Sequence, residues 1–309
     1  MEAPLFYSKI LLFGEYGIIK NSKGLSIPYN FYKGGLKTGN LSSIFEKKSN
    51  ENLRSFRNFL KTIDSSIVVF DFKKMNNDLL NGMYFSSTIP QGYGVGSSGA
   101  LVAAFYDRYA ENKYTILENI TRDKILILKN IFSKMESYFH GQSSGLDPLN
   151  SYLSLPILIR SKNEIETTGI PLQSSNGKGA VFLLDSGESS ETAPMVEIFF
   201  KSMKNKNFNK IIREDFIKTT DSCVDNFLDG NFKSLFLDIK KLSRVVLKNF
   251  KPMIPQNFHK VWEKGIETND YFLKLCGSGG GGYILGFSQN FEKAKLALKD
   301  YKLEVVYNF

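Results

Sequence analysis

The stretch PQGYGVGSSGALVAAF, Pro90 to Phe105, constrains the fold more than any other part of this chain. Six of its first ten residues are Gly or Ser, Pro90 closes off whatever precedes it, and an apolar run follows. Proline fixes φ and removes a backbone donor, while glycine reaches turns that other residues resist. The stretch is therefore a loop that feeds directly into a helix over Ser98–Asn112. Small residues let backbone N–H groups approach an anion, and a helix starting just afterwards points its positive end at it. A tight turn without a ligand is the plainer alternative, but ordering so many glycines and serines costs conformational entropy.

Gly94-Val-Gly96-Ser-Ser-Gly99 also matches G-x-G-x-x-G, the dinucleotide pattern, and Glu118 lies at roughly the distance of a ribose-binding acid. Against a nicotinamide-dependent oxidoreductase, Pro90-Gln91-Gly92 separates the pattern from the preceding strand, whereas a dinucleotide loop leaves its strand abruptly. No Lys-Ser/Thr follows the glycines, which removes the P-loop, and the protein-kinase H-R-D and D-F-G partners are missing. A second glycine run, Leu275-Cys-Gly-Ser-Gly-Gly-Gly-Gly-Tyr283, joins two strands. A hairpin needs one or two glycines at positive φ. Gly279 to Gly282 are four in succession, so another backbone or a ligand comes very close there, unless the run is only a flexible hairpin tip.

Two further segments carry charge in apolar or bent surroundings. In Glu136–Asp147 the acid Glu136 ends a helix, and Asp147 follows a Gly-Ser bend and precedes Pro148. Asp as N-cap with Pro at N1 is a common helix start, which would account for Asp147 without chemistry. Glu136 alone reads as an exposed helical residue, and His140 as a packing or capping residue rather than a base. In Tyr7–Gly17, Lys9 opens an apolar strand that ends at Gly14-Glu15. Lys9 could simply snorkel at a sheet edge.

Composition bounds the class. The 309 residues are 42% hydrophobic and 23% charged, ordinary for a globular protein and enough for two domains. No run of about 18 apolar residues occurs, so no membrane span is expected. The first 17 residues lack a basic segment before an apolar core, so no signal peptide is expected either. Cys223 and Cys276 fit no metal spacing and suit a reducing cytoplasm. The net charge of +9 raises nucleic acid as a partner, but the lysines are scattered among Asp and Glu and no nucleic-acid motif is present. A basic surface also attracts anionic small molecules.

Along the chain, strands are expected at Leu5–Phe13, Ser66–Phe72, Met83–Thr88 and Leu153–Arg160. Helical spacing covers Glu51–Ile63, and a longer helix runs from an N-cap at Thr121 to Gly141. The polar stretch Gln173–Gly179 marks a boundary, giving domains 1–176 and 177–309. Beyond it come a strand (Ala180–Asp185), helices to about Glu267, strands at Tyr271–Cys276 and Tyr283–Phe287, a helix (Phe291–Lys299) and a strand (Lys302–Tyr307). That is β-α-β-β-α-β, the ferredoxin-like order with inserted helices, and the chain as a whole reads as α+β.

Taken in order, these elements resemble the GHMP kinases. Pro90-Gln-Gly-Tyr-Gly-Val-Gly-Ser-Ser-Gly-Ala100 is similar to the family's P-x-x-x-G-L-G-S-S-A-A, and Gly277–Gly282 to its C-terminal glycine motif. Within the family the similarity is greatest to mevalonate kinases. Lys9-Ile-Leu-Leu-Phe-Gly-Glu15 resembles their G-K-x-I-L-x-G-E-H, and Glu136…His140-Gly-x-x-Ser144-Gly145-Leu-Asp147 their E…H-G-x-x-S-G-x-D. The resemblance implies a two-lobed fold, with an N-terminal lobe like ribosomal protein S5 domain 2 and a ferredoxin-like C-terminal lobe. It implies ATP held by Pro90, Gly92, Gly94, Gly96, Ser97, Ser98 and Gly99 with Gly279 and Gly280, and Mg²⁺ on Ser98 and Glu136. Asp147 and Lys9 would be catalytic, and Glu15, Tyr16, Ser144 and Gly145 would lie near the acceptor alcohol. It further implies a cytoplasmic enzyme acting on a small molecule, neither nucleic acid nor membrane, with a homodimer left open. The chain departs from the pattern at Tyr16 (usually His), Ser8 (Gly), Gly99 (Ala) and Cys276 (Thr).

Overall fold

A computed structural model describes residues 4–115, 120–174 and 176–309, so Glu118 lies outside the described residues. The chain divides into two compact units that alternate along the sequence. The first comprises residues 1–9, 27–90 and 96–155, and the second 10–26, 91–95 and 156–309. Strands β1 (Phe6–Phe13) and β2 (Gly24–Thr38) each contribute to both.

In the first unit β2 pairs antiparallel with β3 (Met83–Ser87), from Gly34↔Ser87 to Thr38↔Met83. Helices α1 (Ile44–Leu60) and α2 (Phe72–Leu80) precede β3 in the chain. Helix α1 starts about two turns earlier than the apolar spacing suggests, because Ser43 and Glu46 form a reciprocal capping box. Buried Asn50 on α1 donates to the carbonyls of Leu79 (3.1 Å) and Met83 (2.7 Å), tying α1 to the end of α2 and the start of β3. The strand expected at Ser66–Phe72 does not form. Only Phe70 bridges, to Ala110, and Asp71 accepts from the Lys74 amide at 2.8 Å to start α2 at Phe72. A side-chain cap overrode β-branched content there.

After the Gly/Ser loop come α3 (Ser97–Tyr109), α4 (Arg122–His140) and α5 (Leu146–Leu153). Thr121 caps α4 and Gly141 ends it, as the sequence indicates. Tyr106 of α3 meets Phe132 of α4 and Tyr152 of α5 edge-on, with ring centroids 5.1 and 5.2 Å apart. Helix α5 takes up the residues before Leu153, so the next strand, β4 (Ile157–Ser161), begins later than expected.

In the second unit β4 pairs antiparallel with the first residues of β2 and with β5 (Glu164–Thr167). β6 (Ala180–Asp185) then leads into α6 (Thr192–Met203), α7 (Lys206–Ile211), α8 (Ile217–Leu228), α9 (Phe232–Asn249) and α10 (Phe258–Thr268). β7 (Phe272–Leu275), β8 (Tyr283–Ser288), α11 (Phe291–Ala297) and β9 (Leu303–Asn308) complete the chain. The sheet order is β7-β8-β6-β9, antiparallel throughout. With β6 as the first strand this is the ferredoxin-like arrangement. Phe13 packs on Phe287 of this sheet and on Phe227 of α8, and Trp262 of α10 donates to the Ser243 hydroxyl of α9 at 2.7 Å.

Removing the Asn50 side chain takes two buried hydrogen bonds from the frame that delivers the chain to the Gly/Ser loop. Asn50→Ala is expected to lower stability by about 1–3 kcal/mol, read as a fall in the urea midpoint with an unchanged slope.

Candidate active site

In the first unit, Lys9 lies in the middle of β1 with its side chain only 5% exposed, and its ammonium is 2.9 Å from Asp147 Oδ1. It does not snorkel. Asp147 is not a cap either: Gly145, at φ +73°, occupies the N-cap of α5, and Asp147 sits in the first turn with its carboxylate turned to Lys9. The bend that places it is held by hydrogen bonds. Ser133 Oγ donates to the Ser143 carbonyl at 2.6 Å, the Gly145 amide donates to Ser143 Oγ at 3.0 Å, and the Leu146 amide to Ser144 Oγ at 3.4 Å.

Glu136 is buried on α4, not exposed as its position alone suggests. Ser98 Oγ donates to its Oε1 at 3.1 Å, and Ser143 Oγ donates to its Oε2. The same Ser98 oxygen lies 3.1 Å from His140 Nε2. Thus Ser98, Glu136, His140 and Ser143 form one connected group. Burial, and then the charge of Asp147, push the Glu136 carboxyl up to about 8, against the pull of its serine partners and Lys9. Among the described residues no group of three or more His, Cys, Asp or Glu gathers to hold a metal. A hydroxyl and one carboxylate suit a hard cation that keeps water and phosphate oxygens, which is how Mg²⁺ is usually held.

Helix α3 begins at Ser97 and no side chain caps it; Gly96, at φ +85°, is its N-cap. Its first turn therefore offers backbone N–H groups of the kind that receive anions. Smallness also has a packing cause. A Cβ on Gly96 would lie 3.1 Å from Lys9 Cγ, and one on Gly99 would lie 2.7 Å from the Asp147 carbonyl carbon. Gly99 leaves room for α5 to pass this close to α3.

In the second unit, Gly92 and Gly94, both at positive φ, belong to the part of the loop that follows Pro90. They meet the second glycine run. A Cβ on Gly94 would stand 2.6 Å from the Cys276 carbonyl oxygen, and one on Gly282 would stand 2.5 Å from Tyr93 Cα. The Tyr283 amide donates to the Tyr93 carbonyl, and the Gly280 amide to the Met253 carbonyl. Gly279 and Gly280 are also at positive φ. Close approach of backbone, not a free hairpin tip, explains these glycines.

Glu15 and Tyr16 are nearly buried in this unit, each 7% exposed. Glu15 pairs with Lys274 of β7 at 2.6 Å, and the Tyr16 hydroxyl donates to the Ser278 carbonyl at 2.6 Å. Lys274 is a site residue that the sequence analysis passed over, although it carries the signal that marked Lys9: a lone cation in an apolar strand. Ser143 was also missed; its role comes from the bend and has no spacing signature.

A glycine loop thus opens a helix beside a Lys–Asp pair and a buried Glu–Ser pair. Residues 62–154 match the family model described as the GHMP kinases N terminal domain. The chain as a whole has the GHMP kinase fold. It superposes on L. major mevalonate kinase in complex with R-mevalonate with a TM-score of 0.65 at 15% identity, covering 97% of this chain and 90% of that one. For Streptococcus pneumoniae phosphomevalonate kinase in complex with phosphomevalonate and AMPPNP the values are 0.64, 14%, 99% and 99%. For Lactococcus lactis galactokinase complexed with galactose they are 0.62, 13%, 99% and 94%. No curated protein matches the chain. Among the described residues no helix is long and apolar enough to cross a membrane.

A carboxyl whose folded value is raised binds its proton more tightly in the folded state, so stability falls as pH rises through the interval between the unfolded and folded values. For Glu136 that interval runs from 4.5 to about 8. Metal-free protein is therefore expected to lose melting temperature between these limits. Glu136→Gln should flatten that slope in a pH series of thermal unfolding.

Proposed function

We propose that this chain is an ATP- and Mg²⁺-dependent kinase that phosphorylates the hydroxyl of a small molecule, with the 5-hydroxyl of mevalonate as its acceptor. The observation that carries the proposal is the Lys9–Asp147 pair at 2.9 Å in the unit that also holds Ser98 and Glu136 3.1 Å apart. An alcohol is a poor nucleophile at neutral pH. Asp147 takes its proton as the new bond to the γ-phosphorus forms and the bond from that phosphorus to ADP breaks, while the Lys9 ammonium orients the carboxylate and stabilises the developing alkoxide. Phosphates are assigned to backbone N–H groups of Gly96 to Ser98 in the first unit and, separately, to those of Gly92, Gly94, Gly279 and Gly280 in the second. Ser98 and Glu136 hold Mg²⁺, which supplies charge neutralisation on the phosphate oxygens. Such an enzyme works in the cytoplasm, where ATP is available.

The mevalonate preference rests on the motifs around Lys9–Glu15 and Glu136–Asp147, because the TM-scores for the mevalonate, phosphomevalonate and galactose enzymes differ by little. Phosphomevalonate, homoserine or a sugar is the alternative acceptor. A nicotinamide enzyme is disfavoured, since β3, the strand before the loop, pairs antiparallel with β2, and among the described residues no parallel βαβ unit opens at the loop.

ADP release from Mg·ATP with each acceptor in parallel tests the proposal, and mevalonate alone should give turnover. Asp147→Asn should lower kcat by roughly 10²- to 10⁴-fold while leaving ATP affinity unchanged; retained turnover would falsify the proton-accepting role. Ser98→Ala and Glu136→Gln should each raise the Mg²⁺ concentration needed for half-maximal rate, and an unchanged requirement in both removes them from the metal.

A further inference from the structure

We propose that Glu15, Lys274 and Tyr16 are positioning residues that hold the second glycine loop, Cys276–Gly282, in the shape that receives the nucleotide phosphates. The inference rests on the function proposed above and assigns these side chains to the nucleotide rather than to the acceptor. All of them lie in the second unit.

Glu15 and Lys274 form a buried ion pair, 6% and 5% exposed, at 2.6 Å. Desolvating two charges is expensive, and a well-packed apolar pair of the same size is often as stable. An apolar pair could not donate a hydrogen bond, and Lys274 does: its ammonium reaches the Leu275 carbonyl at 2.8 Å, at the entrance to the loop. The Tyr16 hydroxyl reaches the Ser278 carbonyl at 2.6 Å, three residues further on. Between these two anchors lies the Cys276 carbonyl, against which Gly94 packs with no room for a Cβ. The turn Gly14–Gly17 thus grips the loop on both sides of its contact with the first glycine loop.

Tyr16 sits at φ +60°, a conformation that is costly for a residue with a ring. It is held there by packing. Its ring lies 4.7 Å from that of Phe199 and 5.9 Å from that of Phe250. A His at this position would not extend as far as a phenol, so replacement of the family's His by Tyr brings a hydroxyl within reach of the Ser278 carbonyl. Loops rich in positive-φ glycine have many alternative shapes, and fixing two of their carbonyls removes most of them.

The test measures binding of Mg·AMPPNP to the full chain without acceptor, followed by KM for ATP and for the acceptor. Tyr16→Phe keeps the ring packing and should lower the melting temperature only by the loss of one hydrogen bond, without loss of the fold. It should weaken AMPPNP binding about tenfold and speed amide exchange over 276–282, with acceptor KM unchanged. Glu15→Gln, which keeps the shape of the side chain, should act in the same direction and guards against a failure of Lys274→Met to fold. Unchanged AMPPNP affinity in both Tyr16→Phe and Glu15→Gln, with acceptor KM raised instead, overturns the proposal and returns these residues to the acceptor. Failure of the unaltered chain to bind AMPPNP removes the kinase function itself, and the proposal with it.

Discussion

A buried ammonium must be paired, and the pairing of Lys9 with Asp147 organises everything around it in the first unit. For the two groups to meet, the start of α5 has to lie against α3, and α3 has to begin beside the Lys9 stem. Both approaches require that no side chain intervene, and Gly96 and Gly99 stand at the two points of contact. The glycine content of the loop therefore has two causes. One is the access to backbone N–H groups that the proposed phosphate site needs. The other is the space that the ion pair needs.

The pair also shapes its neighbour. Glu136 lies near enough to Asp147 for their charges to oppose one another, and its burial leaves little water to screen them. Two carboxylates in one small volume are tolerable when each has its own partner. Asp147 has the ammonium, and Glu136 has the hydroxyls of Ser98 and Ser143. The division matches the two tasks proposed for them, one acid exchanging a proton and the other holding a cation.

Much of this was legible in the sequence, and the exceptions have physical reasons. The C-terminal skeleton could be read because its strands are short, apolar and separated by clear breakers. β2 could not, since Pro28 and Gly34-Gly35 interrupt it and such residues argue against a strand. Gly34 is tolerated because a side chain there would strike the ring of Phe85 on β3. The segment Ser66–Phe72 reads as strand by composition, yet a single Asp71 side chain turned its end into α2. At the site, spacing pointed to Glu136 and Asp147 but could not separate a helix cap from an ion pair. Lys274 and Ser143 act through contacts between residues remote in sequence or set by a bend, which no local pattern records.

The alternation of the two units along the chain has a consequence for how the protein comes into being. Every residue of the first unit has been synthesised by Leu155, whereas 10–26 and 91–95 belong to a body whose remainder is still to come. Ile10, Leu12 and Phe13 are completely buried in the finished protein. On the ribosome this half-strand has its neighbour β2 from early on, but the rings that pack on Phe13, those of Phe227 and Phe287, arrive only with the C-terminal part. A nascent chain halted near residue 155 thus carries apolar side chains without their packing partners, of the kind that chaperones bind and that aggregation exploits. Cutting the gene after that residue would yield two fragments: the first holds all of the first unit with strand residues to spare, and the second holds the second unit without them.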